Sequence, residues 1–210
     1  MILQLIDGIV GKGRKIMCAA KRLNKDERKK EIMNAAANVI IAKGFEKTTM
    51  EEIVAGTSLS KGGVYHYYGS VLDIFKDLML QGIDYRDEVI KKHLHESKNS
   101  VTKEFFAKEL VNKIIDDNPY MPLYIEFMIA KKRNPELDSL MLELQENTKK
   151  KLKTFLNQEP EWLEDANIFQ FVTDFLNAMI LASDVLNARE TFKKNRNLLE
   201  KMIICLFENI

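Results

Sequence analysis

The chain has 210 residues, 46% of them hydrophobic, with four prolines and nine glycines, so it can bury a core and is not globally disordered. Abundant Leu, Lys, Glu, Ile and Ala favour helices over sheets. The net charge of +1 hides an asymmetry: residues 1–75 hold 12 Lys/Arg against 8 Asp/Glu, and residues 76–210 hold 20 against 23. A basic end on a near-neutral chain points to a polyanion partner at that end, or else to a solvated basic tail. No apolar run approaches the roughly 18–20 residues that span a bilayer, which argues against a membrane protein. Cys18 and Cys205 stand at opposite ends of the chain, away from any metal-ligand spacing, and fit a reduced cytoplasmic protein.

In chain order, Met1 to Val10 is apolar but carries Gln4 and Asp7 with no basic region before it, unlike a signal peptide. Met17 precedes the basic stretch, so the first 16 residues read as an untidy gene start or a disordered leader. Between Lys12 and Lys30 nine basic residues face Asp26 and Glu27, and residues 1–24 are expected to form a basic, flexible arm. Ile32, Ala36, Val39, Ile40 and Lys43 recur at helical period up to Gly44, a usual stop. Thr49 and Glu52 form a capping box for a short second helix through Ala55. Ser60 caps a third helix to about Tyr68, and Ser70 opens a fourth that runs to about His95. After a polar loop at 96–100, helices are expected near 102–117, 121–133, 135–156, 165–187 and 191–208. Asn134-Pro135 reads as an N-cap followed by proline at the first helical position. The expected fold is all-α, about nine helices: a three-helix helix-turn-helix domain at 25–70, then a helical bundle at 71–210.

The short elements carry the functional signal. A helix of about seven residues, the turn Gly56-Thr57-Ser58-Leu59 and a second short helix have the spacing of a DNA-binding helix-turn-helix. Small residues Ser60, Gly62 and Gly63 let the second helix approach phosphate, Lys61 adds charge, and Tyr65, His66 and Tyr67 can touch phosphate, sugar or a thymine methyl. Tyr65, Tyr67 and Tyr68 lie on different faces of a helix, so one of the three must be core; Tyr68 is assigned there. Gly44-Phe45, Thr48-Thr49, Glu52-Ile53, Ser60-Lys61-Gly62 and Val64-Tyr65-His66-Tyr67-Tyr68 together resemble the DNA-binding domain of the tetracycline-repressor (TetR) family over roughly residues 28–75. The resemblance implies that Thr49 starts the helix bracing the DNA backbone. It places Lys61, Gly62, Tyr65 and Tyr67 at DNA and Val64 and Tyr68 in the core, with the basic arm reaching toward the minor groove. Three positions depart from the family pattern. Ser58 replaces the turn glycine, at a cost on the order of 1 kcal/mol if the backbone is left-handed there. Gly63 replaces a small hydroxyl residue, and Val71 replaces a lysine that touches phosphate.

In the second part, Ile168, Val172, Phe175, Met179, Ala182 and Leu186 repeat at steps of four and three, and Leu199, Met202, Ile203, Leu206 and Ile210 stripe the last helix. The resemblance implies a four-helix dimer interface there; an intrachain core stripe is the alternative. Apolar candidates for an effector pocket are Phe105, Tyr124, Phe127, Met128, Met141, Trp162 and Phe169, with Phe106 and Phe155 beside them, although any bundle needs such residues as core. Glu126-Phe127 followed by Asn134-Pro135 is similar to a pattern in TetR-type C-terminal domains, which favours a structural role for Glu126.

Catalytic and metal readings find little support. Gly8 to Lys15 lacks the Lys-Ser/Thr pair of a phosphate loop, and His93 and His95 point to different faces of a helix. No enzyme, cofactor or metal is expected. The implied function is a cytoplasmic homodimeric regulator, a repressor that binds double-stranded inverted-repeat operator DNA and is released by a small apolar or amphipathic effector. A family-derived protein that has lost operator binding and acts through a protein partner, or a helical carrier of an apolar ligand, are the alternatives.

Overall fold

Short polar side chains set where the first helices begin. In the computed structural model, which describes residues 24–97, 101–155 and 161–208, Asn24, Thr49, Ser60 and Ser70 each accept a backbone N–H three residues on. They start α1 (Lys25–Lys43), α2 (Met50–Ala55), α3 (Lys61–Tyr65) and α4 (Val71–Glu96). Each such cap contributes about 1 kcal/mol. At Asn24 and Thr49 the capping box is complete, because Glu27 and Glu52 accept the cap residue's own N–H. Gly44 ends α1 with φ +90°, a conformation that a Cβ disfavours, and a single 3-10 turn, Phe45–Lys47, links it to α2. The expected arm at 1–24, with Cys18, lies outside the described residues except for Asn24.

The remaining helices are α5 (Lys103–Ile115), α6 (Met121–Lys131), α7 (Glu136–Phe155), α8 (Glu161–Glu164), α9 (Ala166–Asp184), α10 (Arg189–Lys194) and α11 (Arg196–Glu208). Among the described residues every regular element is helical, as the composition implied. Three expected boundaries are corrected. The third helix stops at Tyr65 rather than Tyr68, because the N–H groups of Tyr67 and Tyr68 both turn back to the Val64 carbonyl. The segment expected at 191–208 is two helices broken at Asn195, and α8 was not anticipated.

Two apolar cores hold these helices. The first joins α1, α2 and α3 to α4, α6 and α7: Ile32, Ala36 and Ile40 from successive turns of α1 are fully buried against Ile53, Val64, Ile74, Phe75 and Phe127. Phe45 stacks on Phe75 at 4.7 Å, and Phe127 meets Phe75 edge-on at 6.1 Å. The N-terminal unit therefore shares its core with the bundle. The second core packs α5 and α6 against α9 and α11 through Val111, Ile114, Met121, Val172, Leu176, Ile180, Leu199 and Ile203. Helices α4 and α6 contribute to the first core and continue past it, which sets the geometry of the site.

Candidate nucleic-acid interface and ligand cavity

The turn between α2 and α3 is held from below by α1. A Cβ on Gly56 would sit 3.0 Å from the Ala35 Cβ, so glycine is what allows the turn to approach α1. Ser58 is not left-handed, since Asn187 is the one non-glycine with positive φ among the described residues; the strain that its replacement of glycine suggested is absent. Instead the Ser58 N–H donates to Glu31 Oε1 at 2.6 Å, and its hydroxyl accepts from Arg28 at 2.8 Å. The bonds from Ser58, first of all, and Arg28 hold the Glu31 carboxyl below its ordinary pKa.

Val64 and Tyr68 point inward, as expected. The Tyr68 hydroxyl donates to Asp77 Oδ2 at 2.8 Å, while Lys29 lies 3.3 Å from the same oxygen and 5.2 Å over the Tyr68 ring. Burial, then Asp77, pushes the Tyr68 phenol well above its usual range. The opposite face presents Thr49, Ser60, Lys61, Gly62, Tyr65 and His66 to solvent. Nothing lies within 4 Å of a Cβ placed on Gly62. Lys61 reaches Glu51 at 2.8 Å and covers the Tyr65 ring at 5.7 Å; Glu51 raises the pKa of that ammonium. Gly63 is half-buried, and a Cβ there would make ordinary 3.4 Å contacts with Leu59 and Ser60. Tyr67 is partly buried against the first core and meets the His66 ring edge-on, so it offers less of itself to a groove than Tyr65 does. Val71 is not an exposed position either, because it packs against the same core at the start of α4.

A cavity of 210 Å³ opens between α4, α5, α6, α7 and α9. Of the residues expected at an effector, Phe105, Tyr124, Met141 and Phe169 line it. Phe127 and Met128 do not: α6 turns Tyr120, Met121 and Tyr124 to the cavity, and Phe127 and Met128 to the first core. The side chains of Trp162 and Phe155 lie outside the description. Sequence reasoning missed the polar wall. Arg86 donates to Glu109 Oε2 at 2.8 Å, and the other oxygen of Glu109 takes His93 at 2.7 Å and Asn112 at 3.0 Å. Asp87 reaches Lys91 at 2.7 Å and Lys151 at 3.4 Å through one oxygen, and its buried second oxygen has no hydrogen-bond partner among the described residues. Lys113 stands 5.9 Å from the Tyr124 ring. The signal was present: Glu109 and Lys113 follow Phe105 at steps of four, on one face of α5.

The cavity is mechanically joined to the helix-turn-helix. Glu126, two residues beyond Tyr124 and so on the other side of α6, accepts the Phe45 N–H at 2.8 Å, and the Gly44 Cβ position lies 3.1 Å from that oxygen. On α4, Ile74 and Phe75 sit in the first core, while Gly82 lets Tyr120 approach to 3.3 Å from its Cβ position and Arg86 enters the cavity wall.

On α9 and α11 the expected seam is partly corrected. Val172, Leu199 and Ile203 are buried in the chain's own second core, facing α5, and Phe175, Met179 and Leu206 are partly buried at its edge. The large apolar side chains left exposed here are Phe171 on α9, Val185 and Leu186 just after it, and Leu198 and Met202 on α11. Helix α9 is apolar over so much of its circumference that a four-three stripe fits two faces, and spacing alone did not separate them.

Comparison with known proteins finds that residues 32–78 match the bacterial regulatory proteins of the tetR family. The chain is 31% identical over 114 residues to YfiR of Bacillus subtilis (strain 168), an uncharacterized HTH-type transcriptional regulator; the match spans 54% of this chain and 56% of that protein, about half of each. The fold is similar to that of a TetR-family member from Streptomyces coelicolor A3 (TM-score 0.64, 17% identity, 86% of this chain and 98% of that one). It is also similar to that of the multidrug binding protein EbrR complexed with ethidium (TM-score 0.62, 17% identity, 87% and 99%). At these identities the structural likeness shows the fold alone. Among the described residues no helix is long and apolar enough to cross a membrane.

Proposed function

We propose that the chain is a member of the TetR family, on the strength of its helix-turn-helix domain, and acts as a ligand-responsive regulator in the cytoplasm, a repressor that binds an inverted-repeat operator as a homodimer. Thr49, Ser60, Lys61, Gly62, Gly63, Tyr65, His66 and Tyr67 form the face offered to the major groove. Lys61 exchanges the exposed Glu51 for a phosphate, and Tyr65 supplies an exposed ring beside it. The exposed apolar side chains on α9 and α11 are where the second subunit packs, because two half-sites require two-fold symmetry.

The observation that carries this reading is the connection between the two sites. Helices α4 and α6 each place one turn in the core beneath the helix-turn-helix and another in the cavity wall. A molecule that enters the cavity separates or draws in α4 and α6 and so changes the angle of α1 to α3. It releases DNA to the extent that it binds the DNA-free arrangement more tightly.

Footprinting on DNA flanking the gene tests the proposal. The expected result is protection of an inverted repeat, weakening steeply as salt rises because phosphate contacts release counterions. Equal affinity for unrelated DNA would overturn specific operator binding and favour a protein that acts through another partner.

A further inference from the structure

The charges around the cavity do not balance. Asp87 is neutralised by Lys91 and Lys151, and Glu109 is taken by Arg86, His93 and Asn112. Lys113, on the same wall, makes no hydrogen bond or ion pair among the described residues; its neighbours are the Tyr124 ring and the Arg86 guanidinium. Desolvation and then Arg86 pull the Lys113 ammonium down to about 8. A cation in the wall of a cavity that Phe105, Leu110, Tyr124 and Val172 also line is costly without a counter-charge unless something supplies one.

We infer that the effector is an organic anion, an apolar body ending in a carboxylate or similar acidic group, with Lys113 as the residue that pairs with its charge. The inference rests on the cavity being the effector site. The acidic group takes the place of the missing counter-ion beside Lys113, with the Arg86–Glu109 pair holding the wall, and the hydrocarbon lies against Phe105, Met141, Phe169 and Leu176. A cationic ligand would meet Lys113 with no free carboxylate to offset it, since Asp87 and Glu109 are already paired.

Calorimetric titration of the full chain at pH 7 with decanoate, 1-decanol and decyltrimethylammonium, each below its micellar concentration, separates the possibilities. Decanoate should bind about tenfold or more tighter than decanol, the margin of a charge-assisted pair over a neutral contact, and the cation should bind worst. Lys113→Met should erase the decanoate margin while keeping decanol affinity, and Lys113→Arg should keep it. Without ligand, Lys113→Met should melt no lower than the wild type, because it removes an uncompensated charge. Binding of the three probes with equal affinity, preference for the cation, a margin that survives Lys113→Met, or a lowered melting temperature for that variant overturns the anion assignment while the cavity stands. If none of the three binds the wild type, the cavity itself is not an effector site, and the inference falls with it.

Discussion

Cutting Glu126 back to alanine tests the link between bundle and helix-turn-helix at its narrowest point. The carboxylate accepts the Phe45 N–H at 2.8 Å, and a hydrogen bond to a charged group contributes about 1.5–3 kcal/mol. For a chain of this length 1 kcal/mol corresponds to about 2–4 °C in Tm, so Glu126→Ala should lower Tm by about 3–12 °C. Gly44→Ala should cost about 1–3 kcal/mol from the backbone alone, since φ +90° with ψ 155° is a conformation essentially confined to glycine, and more because its Cβ would crowd the Glu126 oxygen at 3.1 Å. In the double variant that crowding is gone, so Gly44→Ala should cost less than it does alone. Thermal unfolding of the four proteins, with amide exchange at Phe45, reads all three effects. A Glu126→Ala protein that melts within about 1 °C of the wild type and keeps its Phe45 amide protected would refute the link.

Met202→Glu, on the exposed apolar face of α11, should place an unpaired charge in the proposed dimer contact and weaken association by several kcal/mol; sedimentation should show a folded monomer, and an unchanged dimer would move the interface elsewhere. Val71→Lys should steepen the log–log salt dependence of operator binding by roughly 2, one phosphate contact per subunit. Because Val71 packs on the core and opens a helix, the change should also cost about 1 kcal/mol, more than a surface substitution; an unaltered salt slope would mean that position 71 does not face DNA. Lys113 titrates at about 8 when folded against its ordinary 10.5, so between these pH values the unfolded chain binds more protons and stability from this group rises with pH. The wild type should therefore gain stability relative to Lys113→Met from about pH 8 to 10.5, and a flat or falling difference would contradict the desolvation.

What the sequence made legible is what local chemistry decides. Asn134-Pro135 opens α7, with the Asn134 oxygen taking the Glu136 N–H at 3.0 Å, and Thr49, Ser60 and Ser70 start their helices because a cap needs just the next three residues. Tyr68 was assignable to the core by its place on the helix. Ser58 misled because its conformation depends on Glu31 and Arg28, some thirty residues away. Phe127 and Met128 were read as cavity residues because hydrophobicity does not say which of two cores a helix face meets. The polar wall was missed for the opposite reason, since Arg86, Glu109 and Lys113 look like ordinary helix-surface charges until α4 and α5 are brought together. The α9 stripe mixed two apolar faces for the same reason, and they become distinguishable once α5 is in place.

Operator recognition would rest on the exposed face of the helix-turn-helix. Fluorescence-anisotropy titration of the footprinted DNA with the wild type and Tyr65→Ala, against a scrambled duplex of equal length and salt, measures it. Tyr65 is exposed and shares its surface with Lys61, so the variant should keep the wild-type melting curve. It should lose about tenfold or more in affinity for the operator, the scale of about 1–3 kcal/mol per base contact, with little change on the scrambled duplex. Wild-type binding that does not distinguish the two duplexes, or a Tyr65→Ala protein that binds the operator as the wild type does, would contradict it.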